Sequence, residues 1–112
     1  MEIVDGLGRL LEGGQIPEAL ELFNGLHSMD QGEILEELPR KFKSSILAEL
    51  DALVLADILE FMEPEESAAL IGDRLPAELA EVLNFTDTDV AVDLLQQIPE
   101  DKQLETLEAM SD

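Results

Sequence analysis

Large apolar residues recur along this chain at a step of twelve. From Leu10, the first column runs Leu22, Ile34, Ile46, Ile58, Leu70, Val82, Leu94 and Thr106, and only the last is not aliphatic. The column beside it, Leu11, Phe23, Leu35, Leu47, Leu59, Ile71, Leu83, Leu95 and Leu107, is large and apolar throughout. Leu, Ile, Val, Phe and Met fill 41 of 112 positions, so chance would give about seven hits in these eighteen places, against seventeen found. Within a unit the apolar residues fall at −2, 0, +1 and +4 from the first column, which is one face of an α-helix. Alternating apolar and polar runs, the mark of a half-buried strand, are absent.

Proline punctuates the repeat. Pro39, Pro64, Pro76 and Pro99 each mark a stop and restart, because proline is tolerated in the first turn of a helix and not inside it. Asp51, Asp87 and Ser111 stand at equivalent joints, where short oxygen side chains can cap orphan N–H groups. The spacing therefore predicts about nine short helices of nine or ten residues, joined by tight turns. Helices this short need neighbours to be stable, and short connections set successive helices antiparallel. Pairs then repeat every 24 residues, giving an all-α solenoid, a right- or left-coiling superhelix, with residues 1–112 as one domain. Gly13-Gly14 predicts a turn after a first helix weakened by Gly6 and Gly8. Arg74 and Thr86 stand where the +4 apolar residue belongs, with Leu75 and Phe85 displaced by one. That slip predicts one helix lengthened and the next shortened.

Composition narrows the function. Six basic side chains against 27 acidic ones leave a formal charge of −21, which excludes phosphate-neutralising contact with nucleic acid and opposes docking on anionic lipid. Residues 1–44 carry −5 and residues 45–112 carry −16. Cations and basic partners are favoured. No apolar run approaches a membrane span, and the acidic start Met1-Glu2-Ile3-Val4-Asp5 is not a signal peptide. A cytoplasmic setting is expected.

Catalytic machinery is poorly supplied. There is no cysteine, a single histidine and no glycine-rich phosphate loop after a strand, so the chain is not expected to be an enzyme. His27 is expected to pack at a turn while Asp30 caps the third helix, in preference to acting as a ligand or pH sensor. Met29, Met62 and Met110 are expected to belong to the core. The lone basic cluster, Arg40, Lys41 and Lys43, opens the fourth helix, the wrong end for its dipole; it should pair with nearby acids or with a partner.

Asp89 and Asp93 are spaced i, i+4, which puts them about 5–6 Å apart at Cβ on one helix face. Like charges there are unfavourable unless a cation lies nearby, and no Lys or Arg occurs between Arg74 and Lys102. A hard divalent cation such as Mg²⁺ would suit two such carboxylates while keeping its waters. The alternative is that Asp87 and Asp89 are first-turn acids favoured by the dipole and Asp93 is surface.

An ordered series of segments is similar to one known family. Leu26-His27-x-x-Asp30, Ile34-Leu35-Glu36-Glu37-Leu38-Pro39, Leu55-Ala56-Asp57-Ile58-Leu59, Met62-Glu63-Pro64-Glu65-Glu66 and Asp89-Val90-Ala91-Val92-Asp93-Leu94-Leu95 together resemble the intracellular N-terminal domain of MgtE-type magnesium transporters, over about residues 3–110. The chain departs from the family at Val90, often an aspartate there, and at Ser28, usually a proline. The resemblance implies a superhelical regulatory domain on the cytoplasmic face of the membrane, followed by a CBS domain pair and a membrane channel that do not lie within these residues. It implies that the domain senses Mg²⁺ and gates the pore through the CBS pair, in a protein that is a homodimer. Carried over by position, the metal-contacting acids are Asp57, Asp89 and Asp93. Asp57 and Asp93 stand in the column before the anchor, where six of nine residues are acidic, so these acids should be exposed. Their separation by three repeats argues against one shared ion. The rival expectation is a protein-interaction module of helical repeats, of the flagellar motor switch kind.

Overall fold

A computed structural model describes residues 2–110. The helices are α1 (Glu2–Glu12), α2 (Ile16–Asn24), α3 (Ser28–Glu37), α4 (Arg40–Leu47), α5 (Ala52–Leu59), α6 (Pro64–Ile71), α7 (Pro76–Leu83), α8 (Thr88–Leu95) and α9 (Glu100–Met110). Among the described residues there is no strand. The fold is all-α, as the period predicts, and α6 and α7 begin at prolines, whose fixed φ suits a first turn. Helices α4 to α8 are eight residues each, shorter than the nine or ten that the spacing suggests. The chain falls into two compact units, Met1–Asp51 and Ala52–Asp112.

In the first unit α1 packs against α2, α3 and α4, and α2 against α4. Leu7, Phe23, Ile34, Leu35 and Ile46 are fully buried, all but Leu7 from the two repeat columns. The Gly13-Gly14 turn is present, with Gly14 at φ +76°, a conformation that glycine takes without strain. Gly8 faces Phe42: a Cβ there would meet the ring at 3.7 Å. Buried Gln31 donates from Nε2 to the Phe23 carbonyl at the end of α2, 2.8 Å away. The same carbonyl also accepts from the Leu26 N–H at 3.1 Å, so the side chain adds a second donor at the helix end and enters the core with its own amide satisfied.

In the second unit α5 packs on α7, α7 on α9, and α6 on α8. Helices two apart therefore meet, as a 24-residue repeat requires. Residues 55–62 and 79–86 even share one burial pattern: two buried, one exposed, two buried, two exposed, one half-buried. Thr106, the one anchor that is not aliphatic, is also fully buried. Its hydroxyl donates to the Lys102 carbonyl one turn back at 2.8 Å, so the polar group enters the core satisfied.

Several expectations are corrected. The slip at Leu75 and Phe85 changes no helix length, since α6 and α7 are both eight residues. Leu75 is the residue before α7, Phe85 lies in the turn after it, and both are exposed. Met29 is 48% exposed, so it is not core; the third helix starts before it and turns it outward. That earlier start also overturns the capping role of Asp30, which lies in the first turn of α3. The cap is His27, whose Nδ1 accepts from the Met29 N–H at 3.1 Å. Asp87 does precede α8, but its side chain makes no capping hydrogen bond. Asp51 directly precedes α5, and Ser111 lies outside the described residues.

Candidate metal-responsive face

Asp57 is held on α5 between Ala56 and Ile58, both fully buried, so helix geometry turns its carboxylate to solvent. On α8, buried Ala91, Leu94 and Leu95 fix the inward face, and Asp89 and Asp93 are exposed on the other side. All three acids thus lie on the surface, as expected of them, and for Asp57 and Asp93 their column in the repeat predicts it. Asp89 is in the first turn of α8, where the positive end of the helix dipole favours a carboxylate. Asp93 lies one turn further on and gains less from the dipole.

The structure brings Asp89 and Asp93 together on one helix and leaves Asp57 on another. Among the described residues no group of three or more histidine, aspartate or glutamate side chains is placed to hold a metal ion. Two exposed carboxylates one turn apart do fit a hard cation that keeps most of its waters, because Mg²⁺ demands six oxygens and commonly takes only one or two from carboxylates. The chemistry open to this face is outer or partial coordination, with further oxygens coming from water or from another protein surface. The signal for Asp57 is its repeat column, which also carries Glu81 and Glu105 at 24-residue steps on α7 and α9. Both are exposed.

Of the two expectations for the basic cluster, nearby acids or a partner, the described residues do not bear out the first. Lys41 places Nζ 4.8 Å from the centroid of the Phe42 ring. Among the described residues, neither Arg40 nor Lys43 forms an ion pair. No described helix is long and apolar enough to cross a membrane.

The repeat of short helices, with acidic residues on its exposed face, defines an all-α helical-repeat domain. Comparison with known families makes the assignment specific. The family described as the MgtE intracellular N domain matches residues 7–79 and, in a second overlapping match, 26–112. The chain belongs to that family. It is also similar to a solved structure described as the crystal structure of the soluble part of a magnesium transporter, with TM-score 0.78 and 28% sequence identity. The similarity covers 96% of this chain and 43% of that one, so this chain spans less than half the length of its structural relative. No curated protein matches it.

Proposed function

We propose that this domain is the cytosolic Mg²⁺-sensing part of a magnesium transporter, acting on the pore through a neighbouring CBS domain pair in a homodimeric protein. The observation that carries the reading is the Asp89–Asp93 pair, exposed one turn apart on α8 with no basic residue nearby in sequence. Mutual repulsion makes this pair unfavourable when the domain is free of cations. A divalent ion placed between it and oxygens of a partner surface relieves that repulsion and joins the two surfaces. Asp57, on a separate helix, serves a second contact of the same kind. Binding of Mg²⁺ is thereby linked to closure of the domain on its neighbour, and the affinity of the closed form exceeds that of the domain alone.

The test is ion flux through the full-length transporter carrying Asp89→Asn with Asp93→Asn. Flux should persist at internal Mg²⁺ levels that shut off the unaltered protein. Unchanged shut-off would reject the assignment of these residues.

A further inference from the structure

Asn24 and Asn84 are the asparagines of this chain, and each stands at a helix end: Asn24 closes α2 and Asn84 follows α7. Both are exposed. Their successors differ, Gly25 after the first and Phe85 after the second. We propose that Asn24 is a modification site, where the side-chain amide is lost spontaneously, with water as co-reactant, leaving aspartate or isoaspartate and loosening the joint between α2 and α3. The site is separate from the aspartates assigned to Mg²⁺ and does not depend on that assignment.

The Gly25 backbone nitrogen is the nucleophile and the Asn24 Cγ its target. The new N–Cγ bond closes a cyclic imide, the Cγ–Nδ2 bond breaks, and ammonia leaves with the Gly25 amide proton. Water then opens the imide. Opening at Cγ gives aspartate; opening at the main-chain carbonyl gives isoaspartate, with the chain routed through Cγ.

Three features of the α2 end favour this attack. Gly25 has no Cβ to crowd its own nitrogen. Its N–H points back at the Phe23 carbonyl, whereas Leu38, Ala48, Gly72, Asn84 and Gln96, which close α3, α4, α6, α7 and α8, each donate four residues back at 2.7–3.1 Å. Among the described residues Gly25 has no such bond to the Glu21 carbonyl, so its proton is less firmly held. Lastly, the Asn24 side chain forms no hydrogen bond among the described residues and sits on the final residue of a nine-residue helix, where local opening frees the backbone to close the ring. Asn84 lacks these features: Phe85 carries a bulky side chain beside its nitrogen, and its N–H donates to the Val82 carbonyl at 3.0 Å. The products act on the fold in two ways. A carboxylate at the end of α2 meets the negative end of the helix dipole. Isoaspartate also lengthens the backbone between Phe23 and Leu26, which are joined by a hydrogen bond of 3.1 Å.

The test holds the full chain in mildly alkaline buffer, followed by digestion and mass spectrometry. The fragment bearing Asn24 should shift from amide to acid mass and split into two chromatographic species, while the Asn84 fragment stays amide. The rate should rise with pH, because the attacking nitrogen must lose its proton. Gly25→Ala keeps the fold: φ −79° suits any residue, and the added Cβ meets the Glu21 and Leu22 carbonyl oxygens at 3.6 Å, ordinary contact. It should slow the loss at least about tenfold, the effect of raising the barrier by one RT ln 10. The isolated isoaspartyl chain should melt at a lower temperature than the unaltered one. An Asn24 fragment that stays amide while the urea-unfolded chain reacts overturns the proposal, as do equal rates at Asn24 and Asn84 or an unslowed Gly25→Ala. An unchanged melt of the isoaspartyl chain would overturn the loosening of the joint.

Discussion

Lys102 on α9 donates from Nζ to the backbone carbonyl of Gly72, thirty residues earlier, at the end of α6. The ammonium thus satisfies a terminal carbonyl and sits at the negative end of the α6 dipole. Gly72 itself is pressed against the preceding turn: a Cβ there would come within 2.3 Å of the Ala68 carbonyl oxygen, so any side chain forces the backbone to shift. Lys102→Ala should therefore destabilise the protein by about 1.5–3 kcal/mol, the range for hydrogen bonds to charged groups. Urea unfolding checks this, and Gly72→Ala should also lower the midpoint. A Lys102→Ala midpoint equal to the unaltered protein would show that the contact contributes nothing.

Buried Gln31 and buried Thr106 should respond in opposite ways. Gln31→Ala removes one of two donors to the Phe23 carbonyl, which keeps the Leu26 N–H, and should cost about 0.5–1.5 kcal/mol for the lost bond. Thr106→Val keeps the shape and makes the column aliphatic without a break. Its hydroxyl bonds only to the Lys102 carbonyl of its own helix, so the loss should be within about 0.5 kcal/mol of zero or a small gain. Denaturant midpoints of the two variants decide the point.

The twelve-residue columns and the prolines made most of the helices readable, because burial and a fixed φ act locally. They also placed Asp57 and Asp93 on the surface, since their neighbours in the repeat are buried. Other features depend on contacts distant in sequence or on unusual chemistry. Nothing local marks Gln31 as buried, because its partner is the end of another helix. The same holds for Lys102 and Gly72. Asp30 looked like a cap because aspartate is a common one, whereas His27 takes the role through a ring nitrogen. Leu75 and Phe85 looked like displaced core residues, yet each lies beyond a helix end, where the turn carries it into solvent.

That histidine cap gives a direct test. His27→Ala removes the acceptor from the first turn of α3 and should cost about 0.5–2 kcal/mol. His27→Asn retains an acceptor and should recover most of the loss. Thermal melts of the two variants against the unaltered chain separate a cap from simple surface packing, for which both substitutions would behave alike.

Charge sets the response to salt. With −16 on residues 45–112, self-repulsion weakens the folded state at low ionic strength. Added NaCl should raise the melting temperature through screening. MgCl₂ should raise it further at equal ionic strength, because site binding adds to screening. Identical curves for the two salts would leave the isolated domain with screening alone.

The central claim is that Asp89 and Asp93 form half of a Mg²⁺ site completed by a partner. Calorimetric titration of Mg²⁺ into this domain alone, and into the same domain joined to its natural downstream segment, tests it most directly. The account predicts weak binding alone, tighter binding when joined, and loss of that gain with Asp89→Asn plus Asp93→Asn. Equal affinity in the two forms, or an unaltered gain in the double variant, would contradict it.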